Sequence, residues 1–225
     1  MRSLIFLIVA VFCFNGFAGG IVSFTFDDEF ETQYTIAYPA MQNLDMKGTL
    51  YIEINNIGQS GYMTMSEITY LRCEGWDIEA HTVTHTPLPL LRFVPGSIIR
   101  EMSEPQELLN ANHFASPYGF YGSWSLEYVK RYYKSHRTCV PGLNSITNPD
   151  VYELRSVVPG PWVDIAVLEK WVDEATKQDK WLIFTFHTFG EVSINNQPPA
   201  KLKKLLEYIH HVGIPVKTVK EVLSG

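Results

Sequence analysis

Four apolar, β-prone runs in this chain each end directly in a short polar cluster. Ile21 to Phe26 runs into Asp27 and Asp28, Trp76 to Ala80 into His81 to His85, His113 to Ser116 into Pro117 and Tyr118, and Leu182 to Phe186 into His187. Further strands are expected at 49–54, 138–140, 154–157 and 214–216. Segments of helical period separate them, at 30–45, between Thr64 and Gly75, and at 97–110, 125–135, 164–177 and 199–211. Alternation of this kind predicts an α/β fold with mainly parallel strands. In an α/β barrel the carboxyl ends of the strands share one rim, where active sites are built, so the four clusters are expected to meet there.

The chain has 225 residues, 46% of them hydrophobic, and shows neither repeat nor linker, which fits a single domain. Its net charge of −6, with no basic run longer than Lys203-Lys204, leaves no electrostatic footprint for nucleic acid as a partner. Arg2, the apolar stretch from Leu4 to Phe14 and the small-residue site Gly16-Phe17-Ala18 form the tripartite pattern of a secretory signal. The expectation is a signal peptide over 1–18, a catalytic domain over 19–225, and a secreted or periplasmic product. The apolar stretch falls short of the roughly 20 residues a bilayer requires, so no stable membrane span is expected after cleavage. Cys73 and Cys139 would remain; their spacing does not say whether they pair, and without a C-x-x-C pattern they receive no chemical role.

Adjacent carboxylates after a buried strand repel one another unless something positive compensates them. Alone, Asp27-Asp28-Glu29 reads as a helix N-terminal cluster. His81 and His85, spaced i, i+4, change the balance: two imidazoles at ligand spacing share the predicted rim with two aspartates, as a zinc site needs. The intervening Thr82, Val83 and Thr84, with Pro87 following, argue against a long helix there. His187, ending an apolar strand, suits either a structural or an acid–base role.

These segments resemble the polysaccharide deacetylase family, also called the NodB-homology domain or carbohydrate esterase family 4. Ser23-Phe24-Thr25-Phe26-Asp27-Asp28 is similar to its first motif and His81-Thr82-Val83-Thr84-His85 to its second. Ala115-Ser116-Pro117-Tyr118-Gly119 is similar to the third and Phe184-Thr185-Phe186-His187 to the fifth. The resemblance implies a distorted (β/α) barrel in a single domain, acting as a hydrolase on acetyl groups of an acetylated polysaccharide, with N-acetyl favoured over O-acetyl. It further implies a divalent metal on Asp28, His81 and His85, Asp27 as general base, His187 as general acid and Tyr118 as a substrate-binding residue through its backbone N–H. Zinc is the expected ion, with cobalt and nickel as alternatives.

One departure stands out. Where the third motif usually opens with an arginine paired to the catalytic aspartate, this chain has Phe114-Ala115, and Arg137, just before the expected strand at 138–140, is the candidate replacement. The missing arginine leaves open a second reading, a catalytically weak carbohydrate-binding relative that retains the metal site. An unrelated metallohydrolase on a barrel is a third. The fourth motif has no firm match; Asp164 beside Trp162 is nearest, but reads as a helix N-terminal residue.

Overall fold

The computed structural model describes residues 19–94, 96–191 and 196–224; the expected signal peptide lies outside them. Six parallel strands form one sheet: β1 (Ile21–Asp27), β2 (Thr49–Ile52), β3 (Asp77–Ala80), β4 (His113–Ala115), β5 (Ser135–Arg137) and β6 (Trp181–Phe186), in the order β5-β4-β3-β2-β1-β6. The helices are α1 (Tyr38–Gln42), α2 (Met65–Cys73), α3 (Ser97–Leu109), α4 (Ser123–Tyr132), α5 (Ile165–Gln178), α6 (Pro199–Val212) and α7 (Val219–Leu223). A small parallel pair, β7 (Thr188–Phe189) and β8 (Asn196–Gln197), follows β6.

The sheet curls until its edge strands β5 and β6 are linked by the segment 154–157. Leu154 bridges Arg137 on one side and Val157 bridges Phe184 on the other, both in parallel sense. The expected strand is therefore present as single rungs, with Thr138 N–H donating to Leu154 O at 2.8 Å and Val157 N–H to Ile183 O at 2.8 Å. This is the distorted barrel that the family resemblance implied.

Alternation along β1 separates two environments. Val22, Phe24 and Phe26 join Leu182, Phe184 and Phe186 in the main apolar layer between sheet and helices. Ser23, Thr25 and Asp27 carry the other face, where Ser23 Oγ accepts from Trp181 Nε1 at 2.8 Å and Thr25 Oγ1 meets Thr185 Oγ1 at 2.9 Å. Each fully buried phenylalanine in that layer contributes about 1.5–3 kcal/mol. Gly48 is required there, since a Cβ would lie 2.7 Å from the Trp76 ring and 2.8 Å from that of Phe26.

Helix α2 begins as expected: Thr64 Oγ1 accepts from Glu67 N–H, and the Glu67 carboxylate returns the bond to Thr64 N–H at 2.7 Å. Two expectations need adjustment. The helix expected over 30–45 is present over 31–42, but its middle, Gln33–Ala37, is a π-helical turn that leads into the short α1. Pro39 explains the change, because it has no N–H to offer the carbonyl of Thr35. Helix α4 also ends at Tyr132, so the strand expected at 138–140 lies three residues earlier and Arg137 sits within β5.

Candidate active site

The strand ends bring the predicted residues together through unusual backbone. Asp28 (φ 69°), Glu29 (φ 36°), Thr82 (φ 73°), His85 (φ 54°) and Tyr118 (φ 59°) are five of the eight non-glycine residues with positive φ among the described residues. That conformation costs a side chain-bearing residue about 1–3 kcal/mol and persists where surrounding contacts enforce it. At Asp28 the enforcing contact is its N–H donating to Tyr51 O at 3.1 Å.

The segment from His81 to His85 is a bent loop, not a helical turn. Glu101, buried on α3, holds it: one carboxylate oxygen accepts from Val83 N–H at 2.8 Å and Thr84 N–H at 3.0 Å, the other from Thr84 Oγ1 at 2.9 Å. Within the loop, Thr82 Oγ1 accepts from His85 N–H at 3.0 Å. Nothing in the sequence marks Glu101, which resembles any polar residue of an amphipathic helix.

The loop aims two imidazoles at one carboxylate. His81 Nε2 and His85 Nε2 are 3.2 Å apart, and Asp28 Oδ1 lies 3.5 Å from the first and 3.2 Å from the second. Because His81 Nδ1 lies 2.8 Å from Ala115 O, which only accepts, the proton sits on Nδ1 and Nε2 presents its lone pair. Burial pushes His81 down to about 3 and lowers His85 as well, so neither is cationic at neutral pH. Asp28 Oδ1 is buried without a hydrogen-bond partner among the described residues, and burial with the charge of Asp27 raises its pKa to about 6. Three converging electron-pair donors without a shared proton fit a divalent cation, and the ligand atoms all lie within 4.8 Å of one another. Two imidazoles and one carboxylate, with a carbonyl orienting His81 from behind, suit zinc.

Asp27 occupies a different environment. Arg137 Nη2 donates to its Oδ2 at 2.5 Å, and both side chains are buried. Burial alone would raise the Asp27 pKa, but the guanidinium of Arg137, together with His81 and His187, outweighs it and holds the carboxyl below its usual range. Oδ1 is left without a partner among the described residues. Arg137, 5.2 Å from the centre of the Tyr51 ring, thus supplies from β5 the charge that the third motif lacks. Beside it, Cys139 Sγ lies 3.4 Å from Arg137 Nη1, and Cys73 and Cys139 are not bonded to one another.

Above these groups is a cleft of about 450 Å³, lined by Asp28, His85, Tyr118, Phe186 and His187, with Val158 to Pro161 as a further wall. Tyr118 is 59% exposed, with its ring 4.5 Å from that of His85, and Gly119 packs so tightly on Cys139 that a Cβ would meet it at 2.7 Å. The wall is tied down by Gln197 and Lys201, which donate to Pro159 O and Pro161 O, and it carries Trp162, 73% exposed. Asp164 is a helix cap, accepting from Ala166 N–H at 3.0 Å.

A curled parallel sheet with an Asp–His–His cluster that could hold a cation and a buried Asp–Arg pair at its carboxyl rim defines a barrel with a candidate metal centre. The family profile described as polysaccharide deacetylase matches residues 15–134, more than half of the chain, and the chain belongs to that family. It is 29% identical over 147 residues to YxkH of Bacillus subtilis (strain 168), named for the same family, covering 62% of this chain and 52% of that one. The chain thus spans about half the length of the curated relative it matches. The Xyl-CE4 domain of a multidomain xylanase from the hindgut metagenome of Trinervitermes trinervoides shares the fold, with a TM-score of 0.65 at 14% identity, over 92% of this chain and 90% of that one. The Streptococcus pyogenes deacetylase PplD, solved in complex with acetate, aligns with a TM-score of 0.52 at 25% identity, over 59% of this chain and 62% of that one. The profile ends before Arg137 and His187, so the roles of those two residues rest on their geometry.

Proposed function

We propose that this chain is a zinc-dependent hydrolase that removes acetyl groups, N-acetyl in preference to O-acetyl, from a carbohydrate polymer outside the cytoplasm. The observation that carries the reading is the convergence of Asp28, His81 and His85 beside an ionised Asp27, on the floor of a cleft that His187 lines. Zinc on those three ligands would supply a Lewis acid for the acetyl carbonyl and lower the pKa of a water molecule. Asp27, held ionised and oriented by Arg137, takes the proton of the attacking water at its free Oδ1. The Tyr118 backbone N–H stabilises the developing oxyanion. His187 protonates the leaving group. An amide nitrogen departs only once protonated, and a placed acid therefore serves N-acetyl more than O-acetyl. The exposed rings of Tyr118 and Trp162 offer apolar faces to sugars.

The test compares acetate release and zinc content on the same preparations, with acetylated glycans as substrates. Asp28→Asn is expected to lose metal and activity together. Asp27→Asn and His187→Ala should keep the metal while turnover falls by roughly 10²–10⁴-fold. Wild-type release by both of the latter variants would sink the mechanism. A wild type that binds zinc and glycan but frees no acetate would instead favour a binding relative. The buried pair of Arg137 with Asp27 weighs against that alternative. Export after Ala18, motivated by the leader pattern, is checked by mass spectrometry: the exported protein is expected to begin near Gly19, and an intact Met1 would rule it out.

A further inference from the structure

The β1–β6 ladder pairs Ile21 with Trp181 through Phe26 with Phe186 and then stops, one residue short of both the proposed base and the proposed acid. At that point a side chain takes over from the backbone. Gln33 is fully buried, and its single Nε2 donates to Asp27 O at 2.6 Å and to His187 O at 2.7 Å. Both acceptors are carbonyls, so the amide orientation is fixed by the partners and both of its hydrogens are used. Its Oε1 has no partner among the described residues, so donation is what locates this side chain. Neighbouring bonds reinforce the grip: Thr32 Oγ1 accepts from Phe189 N–H at 3.0 Å and meets Thr188 Oγ1 at 2.9 Å. Gln33 opens the π-helical turn, a rare geometry that often marks functional positions.

We propose that Gln33 is a positioning residue, which fixes the separation of the general base Asp27 from the general acid His187 by clamping both of their carbonyls with one amide. This rests on the deacetylase reading above. A base and an acid on opposite sides of one acetyl group must hold their spacing closely, since a misplacement of about 1 Å can cost around 10²-fold in rate.

The experiment uses the zinc-loaded protein and compares Gln33→Met, which keeps the bulk and removes both donors, with Thr25→Val. Thr25 bonds to Thr185 Oγ1 in the same strand seam, so its loss weakens β1 against β6 without freeing either carbonyl. Gln33→Met is expected to retain zinc, lose roughly 10–100-fold in kcat with little change in KM, and shift the pH profile of kcat. Thr25→Val should lower Tm while kcat and the profile stay at wild type. Should Gln33→Met fail to fold, Gln33→Asn, which keeps the amide but reaches one carbonyl less, carries the same comparison with a smaller loss. Wild-type kcat and profile in the Gln33 variant, or an equal kcat loss in Thr25→Val, would overturn the proposal. If the wild type itself releases no acetate, the deacetylase reading fails separately. The clamp is then read from the carbonyl ¹³C shifts of Asp27 and His187, and unchanged shifts in Gln33→Met would refute it.

Discussion

At Asp27 burial opposes ionisation, yet Arg137 outweighs it; at Asp28, one residue along the chain, burial and the charge of Asp27 push the pKa up to about 6. The guanidinium of Arg137 touches Asp27 and not Asp28. Removing it should therefore be costly, because Asp27 would remain buried and unpaired: Arg137→Met is expected to destabilise the fold by roughly 3–5 kcal/mol. Adding Asp27→Asn should recover part of that loss, since the orphaned charge disappears with it. Urea unfolding of the two single variants and the double variant measures the coupling, and strictly additive losses would show that the pair contributes nothing. Arg137→Lys is not a conservative repair at so buried a site, where a planar donor fork is replaced by a compact ammonium. The ligand and acid–base candidates were legible because each follows an apolar run that points to the rim. Arg137 was legible because a missing motif charge invites a search for its substitute. Glu101 and Gln33 were not, since each is a single polar residue in a helical stretch whose partners are backbone groups distant in sequence.

Among the elements, β1 and β6 were readable as apolar runs, while β5 was assigned three residues too late. Its sequence, Ser135-His136-Arg137, has no apolar residue, and all three side chains are buried. What satisfies them comes from elsewhere in the barrel. His113 Nδ1 lies 2.8 Å from Ser135 Oγ, His136 meets Ser116 Oγ and donates from Nδ1 to Tyr152 O at 2.8 Å, and Arg137 pairs with Asp27. No pattern of hydrophobicity could announce such a strand. Its histidines also have a consequence for acid stability. Burial pushes both His113 on β4 and His136 on β5 down to about 4. Between pH 6.5 and about 4 the unfolded chain therefore binds more protons at these sites than the folded one. Their contribution is present above pH 6.5 and is lost as pH falls through that window. The urea midpoint should drop from pH 7 to pH 5, and His136→Gln should flatten the drop even if it lowers the plateau. An undiminished drop in that variant would mean that other groups govern the acid limb.

For the molecule as a whole, the order of elements and the shared rim were legible because strand and helix periods alternate cleanly. The manner of closure was not. Most neighbouring strands pair over three residues or more, but β3 meets β4 at Ala80 and Phe114 alone and 154–157 joins β5 to β6 through single rungs, and only tertiary contacts decide how many rungs such a segment makes. The barrel is thus a ring fastened by a clasp, and the clasp lies directly against the strand that carries Arg137. Under heat or mild denaturant the clasp is the part that can let go while the ladders hold, in the way that locally weak units open below the global transition. Water would then reach a charge pair that depends on dryness for its strength. The expected sign is failure in two stages, with catalytic turnover fading at lower urea than the far-ultraviolet circular dichroism and with early amide exchange at Thr138 and Val157. Coincident curves would mean that clasp and ring give way together.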